Sequence, residues 1–195
     1  MAKEAFLPIW TIYATGFKFS NMTTKRPLTP GEIALARSIF KDSIDYASVR
    51  IHDGPFLGLQ PRHMGMAPNG HIYMHGCFET DYSAGPLHQQ SFFIHEMTHV
   101  WQYQNKILHP VAAFFDLQMR YRFNYAASYR YTLEPGRDLV DYNMEQQATI
   151  VQNYFEKREN GGDLSDYRTV LQKFLDDPAY ARRSSFPPPG FSPGR

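Results

Sequence analysis

Two histidines stand four residues apart in the stretch SFFIHEMTHVWQYQ, residues 91–104, with a glutamate directly after the first: His95-Glu96-Met97-Thr98-His99. On a helix, positions i and i+4 lie one above the other, so both imidazoles can reach one point. That is two of the three protein ligands of a catalytic zinc, which keeps a further position for water. Glu96 is offset from the ligand stripe, where its carboxylate can take a proton from the water without holding the ion. H-E-x-x-H also arises by chance on helices that merely carry histidines. Here the motif lies inside a long helical pattern with apolar flanks, the context the chemistry requires.

The third ligand divides the possibilities. A metzincin pattern would place glycine at 102 and histidine at 105, but these are Gln102 and Asn105. A glutamate from a later helix is the other arrangement, and DYNMEQQATIVQNYF supplies Glu145, 46 positions beyond His99. Glu145 sits in an otherwise uncharged run with Met144, Ala148, Ile150 and Val151 available for burial. A desolvated carboxylate needs a partner, and zinc would be one. The plain alternative is a carboxylate at the helix surface or paired with Arg137.

The elements that must position these groups follow from periodicity and turn residues. Thr29, Pro30 and Glu32 mark a helix start, and the apolar spacing carries that helix to Ile44. SVRIH (48–52) and HIYMHG (71–76) read as short strands, and the glycines and prolines between them predict a loop with at most short structure. A helix is expected from about 87 to 105, a second over 110–131, a third from Asp138 to Gly161 and a short fourth over 164–175. The ends of the chain read as an arm, residues 1–26, and a Pro-rich tail or wrapping arm, residues 178–195.

Composition narrows the class. The chain has 195 residues, 43% of them hydrophobic, enough for one core of ordinary size. Twenty Lys and Arg against 19 Asp and Glu leave no charge bias towards nucleic acid or an anionic membrane. No stretch has the roughly 20 apolar residues of a membrane helix, and the N-terminus lacks a signal-peptide core. The expected location is the cytoplasm, or export by a route that reads no signal peptide. A single cysteine, Cys77, excludes an intrachain disulfide.

Taken together, RPLTPGEIALARSIF, SVRIH, HIYMHG, FFIHEMTHVWQYQ, YRYTL and DYNMEQQA resemble a bacterial family of zincin metallopeptidases related to the valine-glycine-repeat (Vgr) spike and Rhs proteins of type VI secretion. The resemblance spans roughly residues 26–156 and is most specific at HEMTHVWQYQ and EQQA. It implies an α+β zincin-like domain over 27–177, a small sheet followed by a mainly helical C-terminal half. It also implies bound zinc, with His95, His99 and Glu145 as ligands and Glu96 as base, and a peptide or protein substrate. Secretion-system spike or Rhs proteins are the implied partners. Glutamate-type zincins often carry an aspartate four residues after the ligand glutamate, where this chain has Thr149. A group to orient the ligand histidines must come from elsewhere, with Gln102, Asp141 and Gln146 as candidates.

Tyr131, in YRYTL, is the candidate oxyanion donor, with Arg130 and Arg137 behind it; against it, residues 121–131 can be an aromatic packing face with its arginines in solvent. His71 and His75 on one strand face are about 13 Å apart, too far for one ion. HIYMHG is the candidate edge strand for an extended substrate. His52, His63, His88 and His109 have no ligand spacing. The competing function is a metal-stapled adaptor of a secretion apparatus, which needs the ligands but has no use for Glu96.

Overall fold

The computed structural model describes residues 24–58, 60–108 and 125–187. Its architecture is α+β. Strands β1 (Lys25–Pro27), β2 (Arg50–Asp53), β3 (Met64–Met66) and β4 (Ile72–His75) form one sheet in the order β1-β2-β4-β3. β2 and β4 are parallel, Ile51 opposite Ile72, while β1 and β3 pair antiparallel on either side. Among the described residues four α-helices accompany it: α1 (Pro30–Phe40), α2 (Leu87–Gln104), α3 (Met144–Glu159) and α4 (Ser165–Asp176).

The expected helices at 29–44, 87–105 and 164–175 are present within a few residues. The third starts later than Asp138. Asn143 accepts hydrogen bonds from the amides of Glu145 and Gln146, and the Gln146 side chain returns one from the Asn143 amide, a reciprocal cap that fixes the first turn. Asp138 precedes a separate 3-10 turn, Leu139–Asp141. The helix expected over 110–131 falls mostly on 109–124, outside the described residues; Tyr125–Tyr129 is 3-10. Most of the arm, residues 1–23, is likewise outside, while Lys25 and Arg26 belong to β1.

One strand assignment is corrected. HIYMHG is no edge, because β4 is bonded to β2 on one side and β3 on the other. The Gly- and Pro-rich loop supplies the missing neighbour: Met64–Met66 turns back onto β4, with Gly65 opposite Met74. Among the described residues, β3 is therefore the edge strand beside α2.

The core lies between the inner sheet face and the helices. Ile51, Ile72 and Met74 alternate inward and are fully buried, against Phe93, Ile94, Met97 and Trp101 of α2. Phe174 of α4 meets Trp101 edge-on at 5.1 Å and Phe40 at 5.9 Å, joining three helices. The tail is a wrapping arm as far as it is described: the Pro178 carbonyl accepts from Trp101 Nε1 at 2.7 Å, and Arg182 donates to Asn105 Oδ1 at 2.7 Å. No helix of the described residues is long and apolar enough to cross a membrane.

Glu32 is a buried hub. It accepts two bonds from Arg26 at 2.7 Å, and one each from the amides of Thr29 (2.9 Å) and Tyr82 (3.0 Å). It thus ties β1, α1 and the approach to α2. Glu32→Ala strands the Arg26 charge and should cost about 3–5 kcal/mol in urea unfolding. Asp42→Ala, removing an exposed pair with Arg37, should cost at most about 1 kcal/mol.

Candidate metal centre

Three side chains from two helices meet at one buried point. His95 and His99 project from the middle of α2 with ring centroids 5.0 Å apart. Glu145, second residue of α3, places Oε2 3.4 Å from Nε2 of each. A ligand atom from each of the three lies within 4.8 Å of those from the other two. The alternative of a surface Glu145 is ruled out, since it is 3% exposed, and Arg137 instead bonds Glu134 and the Asp141 carbonyl.

A relay of amides sets which nitrogens face Glu145. Gln147 Nε2 donates to the Tyr142 carbonyl, so its oxygen is free to accept from Gln102 Nε2 at 2.9 Å. Gln102 Nε2 also donates to the Met144 carbonyl. That leaves Gln102 Oε1 turned to His99 Nδ1 at 2.9 Å, where only a donor N–H is favourable. Gln152 Oε1 occupies the same place behind His95 Nδ1, at 3.0 Å. Both Nε2 atoms then carry lone pairs that face the Glu145 carboxylate. Three acceptors aimed at one buried point require a cation or a proton between them. Two neutral imidazoles and one carboxylate are a donor set whose chemistry fits zinc.

Glu96 lies beside this set, 3% exposed, and its Oε2 has no hydrogen-bond partner among the described residues. Burial holds its carboxyl above the usual range; the two histidines oppose that and Glu145 adds to it. β3 covers it closely. A Cβ on Gly65 would clash with the Glu96 carboxylate. No positive φ demands glycine at 65, so the reason for a bare backbone there is the glutamate beneath it. Cys77 is pushed up to about 11 by burial and by the Glu96 charge, leaving a protonated thiol.

Of the candidates for orienting the ligands, Gln102 is in place. Asp141 accepts from the Asp138 amide, and Gln146 is spent on the α3 cap and the Arg130 carbonyl. Thr149 bonds the Glu145 carbonyl one turn back. The Tyr131 hydroxyl meets Asn153 Nδ2 at 2.7 Å and Tyr167 at 3.1 Å, while the tyrosine brought against a ligand is Tyr129, whose ring lies 6.1 Å from that of His95. Sequence reasoning missed Gln152, Gln147, Tyr129 and Gly65. Gln152 was available as a signal, since it follows Glu145 by two helical turns and so shares its face.

No protein-family model matches the chain. It is 43% identical over 157 residues to the type VI secretion system spike protein VgrG2b of Pseudomonas aeruginosa, an alignment covering 76% of this chain and 15% of that protein. The solved effector domain of P. aeruginosa VgrG2b matches with a TM-score of 0.65 and 40% identity, over 76% of this chain and 81% of that domain. The chain belongs to the VgrG2b effector-domain family. Membership accounts for the α+β arrangement of four strands and surrounding helices. The chain spans 15% of the full VgrG2b length, so the likeness is to that family's effector domain.

Without metal, the proton takes the cation's place. Burial alone would lower His99, but the Glu145 carboxylate outweighs it and pushes the imidazole from 6.5 up to about 9. Burial likewise opposes the Glu145 charge, and the two histidines overcome it to hold that carboxyl well below its ordinary 4.5. The raised histidine stabilises the fold fully below pH 6.5 and loses its effect as pH rises through about 9. The depressed carboxyl contributes above pH 4.5 and loses its effect as pH falls. Chelator-treated protein should therefore melt highest between those ordinary values and lose Tm towards pH 9 to 10. Metal-loaded protein should keep its Tm over that alkaline range; equal alkaline losses in both forms would contradict the site.

Proposed function

We propose that this chain is a zinc-dependent hydrolase, a metallopeptidase of zincin type, acting in association with a type VI secretion spike. One observation carries the reading: a buried His95, His99 and Glu145 cluster beside a glutamate with a partnerless oxygen. The zinc would supply Lewis-acid polarisation of a carbonyl and acidify water at the site. Glu96 takes the proton from the attacking water and delivers it to the leaving nitrogen, a cycle suited to a carboxyl whose proton affinity burial has raised. Gln102 and Gln152 keep the ligand imidazoles in the tautomer the site needs. The outer edge of β3, unpaired among the described residues, runs over Glu96 and offers its backbone groups to an extended peptide, a role the interior strand β4 cannot fill. A metal-stapled adaptor would bury the same three ligands but would gain nothing from a partnerless carboxylate next to them.

Association with the spike rests on family kinship with VgrG2b, a type VI secretion system spike protein. Co-purification with a Vgr spike from secreting cells tests that part separately.

For the chemistry, Glu96→Gln should retain metal and fold while lowering hydrolysis by about 10²–10⁴, read as cleavage of a peptide library by mass spectrometry. Activity within about tenfold of the parent would sink the general-base role. Loss of metal would make Glu96 a ligand. Glu145→Ala should lose the metal together with melting temperature, and Asp141→Ala should keep the metal.

A further inference from the structure

The outer face of the sheet, turned away from α2, holds a second group of histidines. His52 of β2 and His71, which immediately precedes β4, come together across the parallel pair with ring centroids 5.9 Å apart. Tyr73 stacks on His52 at 4.4 Å and 14°, fixing that ring, and Asn69 Nδ2 donates to the Tyr73 hydroxyl at 3.1 Å. His52 Nε2 and His71 Nδ1 are both buried with no hydrogen-bond partner among the described residues. Two buried nitrogens without partners are unfavourable, and a bound group that meets them both would relieve that.

The neighbouring charges decide its sign. Lys25 pairs directly with His52 across β1 and β2. Arg50 stands one residue before the Ile51–Ile72 pair, level with His71, and its Nη1 is fixed by the carbonyls of Ala47 and Val49 at 2.6 and 2.7 Å. Burial keeps both imidazoles neutral, and Lys25 and Arg50 act in the same sense. Each ring can therefore present one N–H. Positive neighbours disfavour a second metal ion and favour an anion. Donors offered from β1, β2 and the residue before β4 on one face suit a tetrahedral oxyanion with several acceptors.

We propose that the outer face of the sheet binds a phosphate group through His52, His71, Lys25 and Arg50, on the far side of the sheet from the metal centre. The proposal is independent of the hydrolase reading. The phosphate can be free in solution or carried on a lipid headgroup, since the chemistry presented is the same.

The test is a titration of the full, metal-loaded chain with inorganic phosphate, followed through the histidine ring signals in proton–nitrogen spectra. Saturable shifts of the His52 and His71 rings, assigned with His52→Asn and His71→Asn, are expected, with a millimolar Kd or tighter. Lys25→Glu, at an exposed position, and His71→Asn should each weaken binding by about tenfold, the loss of one charge-assisted or buried hydrogen bond. Vesicles of phosphatidylglycerol and of phosphatidylcholine then assign the source. Capture by the former, reversed by phosphate, indicates a headgroup; saturable phosphate binding without capture indicates a soluble phosphate. Shifts confined to His95 and His99, or a non-saturating response unchanged by Lys25→Glu, would overturn the proposal. So would a second equivalent of zinc lost in the His52→Asn and His71→Asn variants.

Discussion

Two imidazole lone pairs and a carboxylate cannot be buried within hydrogen-bonding range of one another unless something positive lies between them, and much of this fold arranges for that to happen. α2 and α3 are held face to face at Gln102, whose amide bonds both the α3 backbone at Met144 and the side chain of Gln147. The same amide then fixes the imidazole of His99. Interhelical packing and the orientation of the His99 ring are therefore one hydrogen-bonded unit. A change that loosens the helix pair also loosens the hold on the ring.

How legible this was in the sequence depended on whether the signal was local. His95, Glu96 and His99 share one helix face by spacing alone, so their grouping required only that α2 be helical. Glu145 stood out because it is a charge in an uncharged run on a segment that had to be buried. Gln147 and Gln152 carry no charge and lie among other amides, Gln146 and Asn153 included, so nothing in composition marks which of them turns inward. The third helix was expected to begin at Asp138 because an acidic residue there satisfies the same rule as Asn143, and only the reciprocal bond to Gln146 decides between them.

Strand neighbours were harder to read. HIYMHG has the branched and aromatic content of a strand whether it lies at an edge or in the middle, and its place depended on Met64-Gly65-Met66, three residues inside a glycine- and proline-rich stretch. The aspect that hid β3 is also what it is for. A residue with a side chain at 65 would collide with Glu96, so the strand must carry glycine where strand propensity is weakest. The pairing of His52 with His71 was equally invisible, since it depends on the parallel register of β2 with β4 across an intervening hairpin.

The position of Glu145, 46 residues after His99, has a topological consequence. A cation held by both would act as a cross-link, closing a loop that contains everything between α2 and α3. By loop-closure entropy such a link removes roughly 4 kcal/mol of freedom from the unfolded chain, comparable to a disulfide over the same span. In a chain whose single cysteine allows no such covalent tie, the metal would be the fastening between the two halves, released by chelation or acid and restored without an oxidant.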